Sequence, residues 1–185
     1  MQPLEGMTVA DFTNWFPGPY CTRLLSDMGA RVIKVEPTIA GDPERKSPGT
    51  FSVVNAGKEG IAIDLSTSQG REIAHRFLNT VDIFIEGYRP GITTKLGIDY
   101  PTVSGLKKDI IYCLITGFGQ TGPLAKQSAH NINALAESGI LSMWGETRDP
   151  PANKPGVWIA DLAASMFAVS SILGAVVQKV RSTWS

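Results

Sequence analysis

Met7–Glu36 reads MTVADFTNWFPGPYCTRLLSDMGARVIKVE, and this stretch decides the fold. MTVADFT is a short run of strand-forming residues that ends in polar ones. Pro17, Gly18 and Pro19 break it. CTRLLSDM then carries apolar residues at helical spacing and stops at Gly29, a residue suited to the left-handed position after a helix. ARVIKVE (Ala30–Glu36) is a second strand. Strand, turn, helix and strand within about 30 residues make the unit of a parallel sheet.

The rest of the chain repeats the alternation. PTIAGDPERKSPGT reads as a polar loop, and GIAIDL (Gly60–Leu65) as a strand. Ser66 or Thr67 can cap a helix through Leu78, with Ile73, Ala74 and Phe77 on one face. VDIFIEG (Val81–Gly87) is a strand, YRPG a turn, and ITTKLGIDYPTVSGLKK one or two short helices. DIIYCLITG (Asp109–Gly117) reads as the clearest buried strand. FGQTGP is a loop, Asn131–Trp144 a helix, GETRDPPANKPG a loop or linker, and Asp161 opens a final helix. The pattern predicts one α/β domain, doubly wound and mainly parallel.

Composition narrows the class. The 185 residues carry 17 basic and 17 acidic side chains, so no net charge favours nucleic acid or an anionic lipid surface. With 43% hydrophobic residues the chain can bury a core, which excludes disorder. Cys21 and Cys113 stand in unrelated contexts and form neither a disulfide framework nor a metal-binding pair. MQPLEGM carries no leader pattern. The longest apolar run, Leu162–Val177, falls short of the ~20 residues that a membrane requires, and reads as a buried helix. A cytoplasmic protein with no membrane partner is expected.

Several groups could carry chemistry. Asp161 sits between VWIA and LAASMF: it is either a helix cap or a carboxylate held as the anion by a helix N-terminus and free to act as a nucleophile. His130, in SAHNIN just before a helix, is either structural or a proton carrier near neutral pH. His75 reads as a surface residue. The loop GFGQTG, with Gly119 and Gln120, is either a tight turn or a source of backbone N–H groups for an oxyanion. It also matches G-x-G-x-x-G, with Glu137 beyond it. However, Pro123 and the polar PLAKQSAH do not continue as a packed helix, so a dinucleotide site is disfavoured. Glu36 reads as a solvated strand-end carboxylate. Arg89, beside Tyr88, and Lys95 could meet a phosphate or adenine, or belong to a solvated turn.

The stretches PLEGMTVADFT, PGPYCTRLLSDMGARVIKVE, IAIDLSTSQGRE, VDIFIEGYRPG, LGIDY, IIYCLITGFGQTGP and IADLAASMF together resemble, in order, the N-terminal half of the family III CoA-transferases. The α-methylacyl-CoA racemases share that fold. The resemblance implies a Rossmann-like CoA-binding domain over residues 1–185, a fragment or truncated relative that lacks the family's second, smaller domain. It implies Asp161 as the catalytic aspartate. It implies coenzyme A contacts from Trp15, Phe16 and Pro17, from Ile63, Asp64, Leu65 and Ser66, and from Gly87, Tyr88 and Arg89. Lys95 falls where the family often has a phosphate-binding arginine, and Gly119 and Gln120 lie near the reacting carbonyl. Pro37 stands where several members carry an arginine for the adenine end.

Three functions follow from the resemblance. In the first, acyl-CoA and a carboxylic acid are substrates, CoA moves between acids through adducts on Asp161, and no cofactor is permanently bound. In the second, His130 and Asp161 are the acid and base of a 2-methylacyl-CoA racemase; SAHNIN is similar to the racemase GHDIN run, with Asn131 for Asp. In the third, the chain is a non-catalytic CoA-binding module. A homodimer, interlocked in full-length relatives, is implied as well.

Overall fold

A computed structural model describes residues 2–144 and 156–182. Five strands form an all-parallel sheet: β1 (Thr8–Phe12), β2 (Arg31–Glu36), β3 (Glu59–Ala62), β4 (Ile83–Glu86) and β5 (Ile111–Leu114), in the order β3-β2-β1-β4-β5. Val9 of β1 aligns with Val32 of β2 on one side and Ile83 of β4 on the other. The helices are α1 (Pro17–Asp27), α2 (Pro48–Asn55), α3 (Ser68–Leu78), α4 (Ile92–Leu96), α5 (Tyr100–Leu106), α6 (Asn131–Glu137) and α7 (Ile159–Ser182).

Side chains of a strand alternate between faces, so each central strand feeds two cores. Val9, Ile83 and Ile85 pack with Cys21 and Leu25 of α1 and with Ala168, Val169 and Ile172 of α7. Ala10, Phe12 and Phe84 pack on the opposite face with Ala74 and Leu78 of α3 and Val103 of α5. The result is the expected doubly wound α/β sandwich.

Local chemistry sets the ends of these elements. α1 starts at Pro17, earlier than its apolar spacing suggests, because proline is tolerated where a helix N–H has no partner anyway. Gly18 is required there: a Cβ would fall 2.2 Å from Thr13 Cβ. Gly29 follows α1 with φ 98°, as its position predicts. Thr67 caps α3, its hydroxyl accepting from Gly70 N–H at 2.9 Å.

Other expectations are corrected. The loop after β2 holds a 3-10 turn and leads into α2, which the Pro- and Gly-rich sequence concealed. Ile73 points outward, 49% exposed, while Gly70, Ala74 and Leu78 form the buried face of α3. His75 is half-buried, with Nε2 2.6 Å from the Gly97 carbonyl, and ties α3 to the turn after α4. β5 is the edge of the sheet, not a buried centre; Leu114 is 41% exposed. α6 stops at Glu137, and a separate 3-10 turn covers Ile140–Met143. The predicted linker lies almost wholly outside the described residues. α7 begins at Ile159, so Asp161 is its third residue and not its cap. At 24 residues α7 is long and apolar enough to cross a membrane by length and composition. It is not the buried helix expected: the stripe from Ser165 to Ile172 packs on α1, while Met166 and Phe167 stay exposed.

Four buried charges sit beneath the turn after β1. Asp11, pointing to the α1 face, accepts from Thr22 Oγ1 (2.6 Å), Thr13 N–H (3.0 Å) and Lys58 Nζ (3.0 Å). Lys58 Nζ also donates to Pro19 O and Asn55 Oδ1. Lys34, from the middle of β2, pairs with Asp42 at 2.8 Å. Burial alone would raise the Asp11 pKa, but Lys58, Lys34 and the two hydroxyls outweigh it and hold the carboxyl down to about 2.

Candidate active site

From β1 the chain winds outward through β2 and β3, then returns to place β4 and β5 on the other side of β1. Loops after β1 and β4 therefore part in opposite directions. The crevice between them, at the carboxyl ends of the strands, is where open α/β sheets bind ligands.

A cavity of about 340 Å³ occupies that crevice. Thr13, Asn14, Trp15 and Pro17 line it after β1, Gly87 and Arg89 after β4, and Ile115 and Thr116 after β5. The segment Ala125–His130 and the start of α7, with Asp161, close it. The fold thus brings Asp161, His130, Trp15, Pro17, Gly87 and Arg89 together from four separate stretches of sequence.

Each of these is held by its neighbours. Ser165 Oγ lies 2.7 Å from both the Asp161 and the Pro17 carbonyls, fixing the first turn of α7 against the start of α1. Asn131 Oδ1 accepts from Ala160 N–H at 2.9 Å. That bond satisfies an unpaired donor at the start of α7 and joins the neighbour of His130 to the neighbour of Asp161. The Trp15 ring meets the His130 ring edge-on, 6.0 Å between centroids. Phe16 does not line the cavity; it stacks on Tyr20 and meets Trp158 edge-on at 4.8 Å, buttressing α7.

Asp161 is half-buried in the first turn of a long helix, where the free N–H groups favour an anion. Burial nevertheless lifts its pKa above the ordinary value, and the charge of His130 opposes that rise. A carboxylate that is partly stripped of water and faces a cavity is a competent nucleophile or base.

A second cavity, also of about 340 Å³, opens at the ends of β1, β2 and β3. Ile63, Asp64, Leu65 and Ser66 line one side and Tyr88 another. Asp64 Oδ1 accepts from Ser66 Oγ (2.6 Å) and Ser66 N–H (2.9 Å), which fixes this turn and lowers the Asp64 pKa. Glu36 is not merely solvated: Arg45 holds both its oxygens, at 2.8 and 3.1 Å, and lies 4.2 Å over the Phe51 ring. Gly87 and Tyr88 are adjacent and line one cavity each, so the two cavities flank the turn after β4.

Glu86, beneath that turn, is fully buried. Its Oε2 accepts from Tyr88 N–H at 2.6 Å. Burial pushes its pKa up to about 7, although that bond and the Tyr112 hydroxyl pull it down.

Besides Phe16, three expected contacts are not brought to either cavity. Gly119 and Gln120 lie in an exposed loop, with Gln120 Nε2 3.5 Å from Thr116 Oγ1. The GFGQTG loop runs on to α6 without opening a helix, so it lacks the geometry of a dinucleotide turn. Lys95 stands exposed at the end of α4. Among the described residues no cluster of three or more His, Cys, Asp or Glu is placed to hold a metal. Sequence reasoning missed the cavity wall Ala125–Ala129 and the tie from Asn131, which the sequence marked only by its place in the SAHNIN run beside His130.

A parallel sheet with a crevice at its switch point, and a carboxylate from the first turn of a helix in that crevice, define a doubly wound α/β domain built to take a ligand there. The family model for CoA-transferase family III matches residues 4–183, and the chain belongs to that family. It is similar to succinyl-CoA:glutarate CoA-transferase of Mus musculus, 36% identical over 98% of this chain and 43% of the mouse protein. It is 35% identical to acetyl-CoA:oxalate CoA-transferase of Acetobacter aceti, over 97% of this chain and 48% of that protein. The crystal structure of a CAIB/BAIF family protein from Brucella suis superimposes with a TM-score of 0.93, at 33% identity, over 98% of this chain and 51% of that one. The chain spans about half the length of the curated relatives it matches.

Proposed function

We propose that this chain supplies the CoA-binding half of an acyl-CoA:carboxylate CoA-transferase in which Asp161 is the nucleophile. The observation that carries this is the half-buried Asp161 carboxylate in the switch-point cavity. The second cavity, mostly apolar and flanking the first across the Gly87–Tyr88 turn, suits the nucleotide end of coenzyme A.

The steps are those of acyl exchange. An Asp161 oxygen attacks the thioester carbonyl, the C–S bond breaks, and the CoA thiolate leaves. A mixed anhydride remains. The thiolate attacks the aspartyl carbonyl of the anhydride, the donor carboxylate departs, and an aspartyl-CoA thioester forms. The acceptor carboxylate attacks that thioester and expels the thiolate, which takes the new acyl group and frees Asp161. Partial burial makes the Asp161 carboxylate more reactive than one in water. The donor and acceptor acids, and a homodimer as the working form, belong to this proposal.

A second reading is a 2-methylacyl-CoA racemase. His130 and Asp161 line the same cavity and interact electrostatically, as an acid/base pair across an α-carbon requires.

Intact-mass spectrometry of the chain with a panel of small acyl-CoAs tests both readings, with Asp161→Ala as control. A covalent acyl or CoA adduct present in the wild type and missing in the variant supports transfer. Deuterium entering the α-carbon from heavy water, with no adduct, and lost in His130→Ala, supports the racemase and overturns transfer.

A further inference from the structure

Among the described residues Trp15 is the one non-glycine residue with positive φ, 65°. A large L side chain adopts that conformation only where its surroundings impose it. Here they do so from both sides. Lys34 Nζ donates to the Thr13 carbonyl at 2.9 Å. Asp42 Oδ1 accepts from Trp15 N–H at 3.1 Å. The same two side chains pair with each other at 2.8 Å, with exposures of 4% and 0%. One buried ion pair therefore grips the backbone on either side of Asn14.

The location of the pair is informative. Lys34 interrupts RVIKVE in the middle of a strand whose neighbours are apolar, a place where a parallel sheet ordinarily puts another hydrophobe. A buried ion pair is weak evidence for stability, since apolar residues of like volume often serve a fold as well. Backbone strain beside a cavity, with two charges spent on holding it, fits a positioning role better than a stabilising one. The loop so held presents Thr13, Asn14 and Trp15 to the switch-point cavity, and the Trp15 ring abuts His130 opposite Asp161.

We infer that the Lys34–Asp42 pair is a positioning clamp for the reaction: it holds Trp15 in its left-handed conformation and so fixes the wall of the cavity against which His130 rests. Lys34 and Asp42 act through Trp15 and do not touch substrate. The inference rests on the proposed transfer reaction for its catalytic consequence, but not for its geometry.

The test compares the wild type with Lys34→Met/Asp42→Leu, an apolar pair of similar volume, and with Asp42→Asn, which keeps the Oδ1 acceptor. Melting temperature reports the fold. The nuclear Overhauser contact between the Trp15 and His130 rings reports the clamp. The rate of Asp161 adduct formation, read against acyl-CoA concentration, reports the chemistry. The apolar double variant is expected to melt within a few degrees of the wild type and to lose the ring contact. Its adduct rate at saturating acyl-CoA should fall at least tenfold. Asp42→Asn leaves Lys34 without its anion and should melt lower, yet below that melt it should keep the ring contact and stay within about threefold of the wild-type rate. Retention of the contact and the rate in the double variant overturns the inference. So does their loss only in step with melting, which would make the pair structural. A wild type that forms no adduct removes the transfer reading, while the ring contact still decides whether the clamp exists.

Discussion

Glu86→Gln should stabilise the protein by an amount that grows with pH. Glu86 is fully buried at the end of β4, and burial lifts its pKa from 4.5 to about 7 in the folded chain. A raised carboxyl pKa means that the folded state holds the proton more tightly than the unfolded state. The associated stability is present below pH 4.5 and is lost as pH rises through 7. At about 1.4 kcal/mol per unit, the full loss above pH 8 is about 3 kcal/mol, against roughly 1 kcal/mol at pH 5. Glutamine has nearly the same shape, does not titrate, and can still accept from Tyr88 N–H. The gap between variant and wild type should widen by about 2 kcal/mol between pH 5 and pH 9, or about 4–8 °C in melting temperature for a chain of this size. Circular dichroism melts of both proteins in matched buffers at pH 5, 7 and 9 measure it directly. Other titrating groups change both proteins alike and cancel. Parallel curves across that range would show that Glu86 ionises as freely in the folded chain as in the unfolded one, and would refute the reasoning.

Further expectations concern the packing around the site. Lys58→Met leaves Asp11 buried without its nearest cation, and urea unfolding should show a loss of about 3–5 kcal/mol. Asp11, held down to about 2, contributes stability above pH 4 that is lost as pH falls toward 2; an acid titration followed by circular dichroism should show about 2 kcal/mol disappearing in that window. Gly18→Ala forces a Cβ against Thr13, and chemical denaturation should register about 1–3 kcal/mol of overpacking. Asn131→Ala strips Ala160 N–H of its acceptor; a loss of about 1 kcal/mol is expected in urea, with faster amide exchange confined to the first turn of α7.

The parts of the fold that could be read from sequence are those governed by near neighbours. Gly29, Thr67 and the strand-forming run MTVADFT each announce a structure that the same few residues enforce. α2 could not be read because Pro48 and Gly49 signal a turn, while its helix rests on packing against α1. β5 was misjudged for a different reason. IYCL is apolar enough for a sheet centre, and only the strand order makes it an edge. The site divides the same way. Asp161, His130 and Arg89 were visible as reactive types at turns after strands or at helix starts, which is where a switch point gathers them. Lys34, Asp42 and Lys58 carry no local signal, because their partners lie 8 to 47 positions away and only the fold brings them together. Gly119 and Gln120 show the converse: a loop with the right residues need not face the cavity.

The open side of β5 bears on how the chain must be handled. Ile111–Leu114 presents a row of backbone donors and acceptors that no strand among the described residues engages on its outer side, next to the exposed Phe167 of α7. The segment IIYCLI has high strand propensity, no charge and no proline, the composition of a self-adhesive ribbon. In a concentrated refolding mixture, this edge is where one copy would template another, and precipitation would compete with productive folding in proportion to protein concentration. A lysine placed at Leu114, at the exposed end of the ribbon, would blunt that growth at little expense to the two cores.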